Sequence, residues 1–417
     1  MFARFMGQSD IPSKFRPNFH HLYLDIAGFG ILSGSAINFL NVYSARLGAS
    51  GVQIGLLAAV TGIVNLLLAI PAGRWIERQS TGRAVFWSSV IFRMGYAMWI
   101  PLPWIFDNQG QVWALIGLTF LMAIPYTPLG VGFNALFAEA VPEEYRAHVA
   151  GNRNVTFSIT YMLTSLVSGY LLKNLAFPIG YQVVFLIGTI GAAISSYHMY
   201  HIRPLHRRAS ARQARATTGK AKSRRQRRSW QSALRLDVWG TPFKRVLLGL
   251  LVFHLVQYLA APLFPMYYVR EIRLSDDQIG LGTAILYFTV LIGSTQLRKV
   301  VQRLGHKTAT GAGVVGMALF PFAIALSSTA LHFYLINFFG GFLFAVSSGS
   351  YANYLLEHTP AKDRPAHLAW YNIILNSSIL FGSLAGPFFA DQVGISTALL
   401  VFAGFRFLAG LAILKWG

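Results

Sequence analysis

Twelve stretches of about twenty mostly apolar residues follow one another along this chain. No other feature constrains its fold as much. They cover roughly 20–44, 52–72, 84–105, 112–138, 152–172, 181–202, 245–268, 278–297, 308–328, 330–356, 369–389 and 396–414. A helix of that length crosses a bilayer. Inside lipid every backbone polar group needs a partner, which leaves helices and closed barrels. Barrel strands are shorter and alternate apolar with polar residues; the run from Gly55 to Ala72 is apolar on all sides. Pro125, Pro128, Pro262 and Pro321 fall inside spans, as bundled membrane helices tolerate. The expectation is an all-α integral membrane protein. The first eighteen residues carry Arg4, Lys14 and Arg16 and lack a short apolar core before small residues. Span 1 is therefore expected to serve as an uncleaved signal-anchor.

The charges sharpen this reading. Only 12% of residues are charged and 54% are hydrophobic, yet the net charge is +21. That hydrophobicity excludes disorder, and the absence of cysteine excludes a disulfide scaffold. Of the 35 Lys+Arg, four (Arg46, Lys173, Arg270, Arg273) follow odd-numbered spans and two (Arg93, Arg406) lie within spans; the other 29 share one side. Such asymmetry places both termini in the cytoplasm of a cell (inner) membrane. Between Arg203 and Arg245 lie 14 Lys+Arg and one acid, Asp237. This stretch divides the chain into an N-tail (1–19), a six-span bundle (20–202), a basic linker (203–244) and a second six-span bundle (245–417). The linker reads as a solvated topology signal in contact with anionic lipid headgroups, in preference to a nucleic-acid patch. Membrane lipids are expected partners; nucleic acid is not.

The two halves repeat each other. Glu139, Pro142, Arg146 and Asn154 after span 4 match Glu357, Pro360, Arg364 and Asn372 after span 10 at one constant offset. Ser50, Gln53, Ile54 and Gly55 match Ser275, Gln278, Ile279 and Gly280, and Glu77-Arg78 matches Gln302-Arg303. Six spans plus six in the same orientation make a parallel repeat, an arrangement in which two bundles rock about a site near the midplane.

Twelve spans, a central basic linker and these loop motifs resemble the major facilitator superfamily over essentially the whole length. That family carries G-x-x-x-D-R-x-G-R-K after span 2. Here the loop holds Gly73, Glu77, Arg78, Gly82 and Arg83, and its copy after span 8 keeps Arg303, Gly305 and Lys307 but loses the acid. Glu139-x6-Arg146 and Glu357-x6-Arg364 look like the E-x6-R element of sugar porters. The resemblance implies two six-helix bundles, alternating access, and a cytoplasmic charge network that closes the inner side. An ion pair in a bistable interface is a switch element. The antiporter motif G-x-x-x-G-P-x-x-G-G is missing from span 5; Gly382, Gly386 and Pro387 on span 11 resemble a piece of it and read as close helix packing.

Polar residues inside spans mark the candidate site. Asn154, Ser158, Tyr161, Ser165 and Ser168 fall on one face of span 5; Ser158, Ser165 and Ser168 read as helix–helix hydrogen-bonding groups. His254, Gln257 and Tyr258 share a face of span 7. Asn38 and Asn41 lie on span 1, Tyr126 on span 4, Tyr351 on span 10 and Asn376 on span 11. The resemblance puts spans 1, 4, 7 and 10 around the central cavity, and such a wall suits a neutral, zwitterionic or moderately amphipathic small solute. Asp25 and His254 are the candidate proton carriers; the alternative for Asp25 is an ion pair with a base such as Arg153. Arg93 and Arg406 are read as structural, bound to carbonyls or a buried acid, with substrate-anion contact as the alternative. No cluster has metal-ligand spacing and no nucleotide loop occurs, so neither cofactor nor enzymatic step is expected. The reading is a monomeric secondary active transporter of a small solute, coupled to protons. The rivals are a transporter-like receptor, scaffold or lipid-handling protein, and a multidrug exporter.

Overall fold

A computed structural model describes residues 12–205, 235–360 and 363–416. Residues 206–234 of the expected linker and the first eleven of the N-tail lie outside them. Among the described residues ten helices are long and apolar enough to cross a membrane. In chain order the twelve spans are α1 (Ser13–Arg46), α2 (Gly51–Glu77), α3 (Thr81–Ala97), α4 (Asn108–Ala140), α5 (Glu143–Asn174), α6 (Ile179–His201), α7 (Phe243–Arg270), α8 (276–304), α9 (306–325), α10 (Ala330–Glu357), α11 (Arg364–Val393) and α12 (Ile395–Trp416). The ten become twelve for two reasons. At 17 residues α3 is short. The stretch Asp276–Ala325 is two helices meeting at Gly305, whose φ of 75° lies in the left-handed region that glycine adopts without strain. The loop expected at 298–307 is thus helical apart from that one residue.

The first repeat motif is a pair of helix starts. The Ser50 hydroxyl accepts from the Gln53 backbone N–H at 3.2 Å, and the Gln53 carbonyl oxygen accepts from the Ser50 N–H at 2.7 Å. Ser275 and Gln278 form the same capping box at the start of α8, with the Ser275 N–H donating at 3.0 Å. Each box satisfies two helix-end donors that would otherwise lack partners. The glycine that follows serves packing between halves. Gly55 presses against the Ser383 carbonyl of α11, and a Cβ on Gly280 would stand 2.7 Å from the Ser165 carbonyl of α5. Only a missing side chain lets these helices approach so closely.

Aromatic side chains tie helices together within each half. In the first, Tyr43, Tyr181, Phe185 and Trp99 join α1, α6 and the end of α3, with ring centroids 4.6 Å apart for Tyr43 and Tyr181 and 5.5 Å apart for Trp99 and Phe185. In the second, the Tyr267 hydroxyl donates to the Ala325 carbonyl at 2.9 Å and ties α7 to the end of α9. The halves meet where α5 runs beside α8 and α2 beside α11. Midway along α1 the backbone widens into a π-turn at Ser33–Ile37. Gly34 in that turn faces the Tyr161 carbonyl of α5, at 2.5 Å from where a Cβ would sit. Turns of this kind re-aim the residues that follow them, and the next residue here is Asn38.

Candidate substrate cavity and gates

The end of the bundle that carries the loops after odd-numbered spans is closed by contacts between the halves. Arg46 at the end of α1 reaches Asp276 at the start of α8 at 3.0 Å and the Leu274 carbonyl at 2.5 Å. The Tyr181 hydroxyl donates to the other Asp276 oxygen at 2.8 Å. Lys173 pairs with Asp277 at 3.0 Å, and Arg270 donates to the Ala49 carbonyl. The Arg46–Asp276 pair is largely sheltered, with side chains 27% and 13% exposed, whereas Lys173 is 62% exposed. From the sequence Arg46, Lys173 and Arg270 are topology charges only, and Asp276, Asp277 and Tyr181 carry no assignment. Their signal was available: Asp276 and Asp277 lie inside the second Ser-x-x-Gln capping box, and they pair with two of the four cations on that side.

Deeper in, polar side chains stitch the halves together at mid-span. Tyr161 donates to the Asn38 carbonyl oxygen at 3.2 Å, Asn38 donates to Ser165 at 3.3 Å, and Ser165 donates to the Gly280 carbonyl at 3.1 Å. The Tyr161 ring stacks on Tyr287 of α8, centroids 3.8 Å apart. On the other flank Thr127 donates to Asn65 at 2.8 Å, and Asn65 donates to Asn376 at 3.1 Å. Asn38, Tyr161 and Asn376 therefore sit in the two seams. Asn65 and Tyr287 are seam residues that lie outside the polar stripes expected from the sequence. Asn41 lies half-buried one turn beyond Asn38.

Between the seams stands a group of tyrosines. Tyr126 of α4 is 37% exposed and packs on Phe92. Tyr258 of α7 is half-buried one turn beyond His254. Tyr351 of α10 stands edge-on to His254 at 5.5 Å, and the Tyr371 hydroxyl of α11 lies 3.2 Å from His254 Nε2. Gln257 is half-buried on the same helix as His254 and Tyr258.

Asp25 is clamped within the first half. Arg153 reaches it at 3.2 Å, Arg93 at 3.7 Å, and the Ser195 hydroxyl donates to it at 2.6 Å. Arg153 also donates to the Leu22 carbonyl at 2.6 Å, and Arg93 to Ser89 at 2.5 Å and Ser196 at 3.2 Å. One carboxylate thus serves two guanidiniums among α1, α3, α5 and α6. Arg406 differs. It is 5% exposed, its guanidinium lies 5.7 Å from the Phe253 ring, and no carboxylate or carbonyl among the described residues accepts from it.

At the terminus-bearing end the loop motifs stay within their own halves. Arg146 donates to the Val141 carbonyl at 3.2 Å and the Ala138 carbonyl at 2.9 Å, capping the end of α4. Glu139 accepts from Thr81 at 3.2 Å. Arg83 and Glu139 line a groove of about 760 Å³ with Trp87, Tyr200 and Arg203. Gly73 has open space around it, and Glu77 is exposed. Gly305 forms the kink between α8 and α9. Among the described residues no hydrogen bond or ion pair joins Glu77, Arg78, Arg83, Glu139 or Arg146 to Arg303, Lys307, Glu357 or Arg364. The acid engaged at the start of α11 is Asp363, which pairs with Arg235. Arg235 also binds Asp237 at 2.9 Å, and that hydrogen bond holds the Asp237 carboxyl below its usual range.

Comparison with known proteins agrees with this architecture. The family model described as Major Facilitator Superfamily matches residues 26–253 and 246–417. The chain is 23% identical over 400 residues to the cis,cis-muconate transport protein of Acinetobacter baylyi, covering 94% of this chain and 90% of that one. It is 27% identical over 180 residues to the staphyloferrin B transporter of Staphylococcus aureus, covering 41% and 42%. In fold it is similar to the inward-open xylose transporter XylE from E. coli, with TM-score 0.69, 16% identity and coverage of 97% and 95%. A crystal structure of the nucleoside transporter NupG gives TM-score 0.67 at 15% identity, covering 96% and 98%. With paired six-helix halves closed at one end, and a family match over nearly the whole chain, the protein belongs to the Major Facilitator Superfamily and is a membrane transporter.

Proposed function

We propose that this protein is a proton-coupled secondary transporter of a small organic solute, here in its inward-facing state. One observation carries the proposal. The halves are latched to each other at the end bearing Arg46 and Asp276, while the motif residues at the terminus-bearing end bind within their own halves. The charge asymmetry supports a cytoplasmic location for the termini and an inner-membrane setting, so the space between the halves would open inward. The tyrosines, His254, Gln257 and the seam asparagines would bind the solute. When the halves rock, Glu139, Arg146, Arg83 and their second-half counterparts would meet and close the inner side.

Of the two candidate proton carriers the geometry favours His254. Among the described residues its Nδ1 has no partner and its Nε2 faces a single hydroxyl, so it can take up a proton without losing an ion pair. Asp25 would have to leave two arginines. The test is flux. Purified protein in sealed vesicles, energised by an inward proton gradient, should accumulate a solute from a panel that begins with cis,cis-muconate, the solute named for one relative. Accumulation should collapse with a protonophore and in His254→Gln. No movement of any solute in either direction would refute transport; accumulation indifferent to the protonophore would refute coupling.

A further inference from the structure

Three cations lie buried in the spans, and their surroundings differ. Arg93 and Arg153 share Asp25, with further bonds to Ser89, Ser196 and the Leu22 carbonyl. Arg406 on α12 is equally buried and has no counter-charge among the described residues; even its Nε lacks an acceptor. A guanidinium sheltered from water and left without an anion is a strongly unfavourable arrangement. The Phe253 ring at 5.7 Å is a modest consolation. Phe253 also packs against His254 at 4.8 Å and Tyr351 at 5.7 Å. Phe253 thus lies against both Arg406 and His254. Among the described residues His254 keeps one nitrogen unpartnered and meets Tyr371 with the other. The result is one fixed cation, one imidazole and two phenolic hydroxyls, from α7, α10, α11 and α12. All are hydrogen-bond donors or can become so, and none brings a negative charge.

We propose that Arg406 and His254 form a receptor for a carboxylate group of the transported solute. The inference rests on the transport reading and narrows its substrate to organic acids. A carboxylate is planar and takes two parallel bonds from a guanidinium. It would supply the missing counter-charge, while Tyr371 and Tyr351 fill its remaining lone pairs. Tyr258, one turn beyond His254 on α7, would continue the lining for the rest of the molecule. The site is thus mismatched when empty and matched when loaded. Binding energy that repairs a strained empty site favours the loaded form over the empty one.

The test uses the full chain in detergent, with acetate, adipate and citrate as probes and hexane-1,6-diol as the uncharged counterpart of adipate. At least one acid should raise the melting temperature, and the diol should not. Arg406→Met and His254→Phe should each weaken that acid by more than about tenfold. Arg406→Lys should retain part of the affinity. Arg406→Met should also raise the melting temperature of the ligand-free protein, because it removes a buried lone charge; removal of a purely structural arginine would lower it. No stabilisation by any acid, equal stabilisation by adipate and the diol, or undiminished acid binding in a folded Arg406→Met protein would overturn the inference. Flux separates this failure from that of the transport reading. A vesicle preparation that moves a neutral solute but binds no acid keeps transport and removes the receptor. Acid binding that depends on Arg406 without flux of any solute keeps the receptor and removes transport.

Discussion

Asp276→Asn should open the latched end. The substitution keeps the shape of the side chain and an acceptor for the Tyr181 hydroxyl, now 2.8 Å away. It removes the charge that faces Arg46 at 3.0 Å. Exposed ion pairs contribute about 0–1 kcal/mol, and hydrogen bonds to charged groups about 1.5–3 kcal/mol. With side chains 27% and 13% exposed, this pair falls between those classes. Arg46 also keeps the Leu274 carbonyl at 2.5 Å and can rehydrate in part. A loss of about 1.5 kcal/mol follows, which shifts the balance between latched and unlatched states roughly tenfold. The chain has no cysteine, so one introduced thiol is an unambiguous reporter. Ala59 is fully buried on the face of α2 that carries Gly55 and Gly62, both against α11. In an Ala59→Cys background, the maleimide labelling rate should rise about tenfold with Asp276→Asn and hardly at all with Lys173→Gln, whose pair is exposed. An unchanged rate with Asp276→Asn, or an equal rise with Lys173→Gln, would refute the view that the sheltered pair is the latch.

Two further outcomes are expected. Asp25→Asn leaves two buried guanidiniums without a counter-charge and should destabilise the first half by about 3–5 kcal/mol. Melting in detergent reads this loss, and adding Arg153→Gln should recover part of it; a melting temperature equal to wild type would show that the cluster does not hold α1 to α3 and α5. Asp237 has its pKa lowered by Arg235, so the contact is fully present above the ordinary carboxylate value of about 4 and is lost as pH falls below it. The protection factor of Leu236–Gly240 against hydrogen exchange should fall in that window and stay flat in Asp237→Asn.

The span count, the helical class and the repeat were all legible in the sequence, because lipid imposes length and apolarity on every crossing segment. Ser-x-x-Gln-Ile-Gly was visible as a repeat, but its double role was not. A capping box is local and can be read from spacing, whereas Gly55 against Ser383 and Gly280 against Ser165 depend on which helices become neighbours. The loop motifs show the same limit. Glu139 and Arg146 could be recognised, yet their partners here are Thr81 and two carbonyls, because a switch residue has different partners in each state and a sequence does not carry the state. Arg93 and Arg406 looked alike in their spans. Only three-dimensional neighbours separate a neutralised arginine from a solitary one.

Gly305 has a mechanical consequence. Helices α8 and α9 join through a single non-helical residue, whereas Arg78, Gln79 and Ser80 separate α2 from α3. The second half therefore has little spare chain at that corner: any change in the angle between its two helices passes through Gly305. The equivalent corner of the first half has slack. When the bundles tilt past each other, the second half acts as the lever and the first supplies the compliance. Deformation would thus concentrate in the half whose charged cluster is internally paired and best able to keep its helices together while they bend.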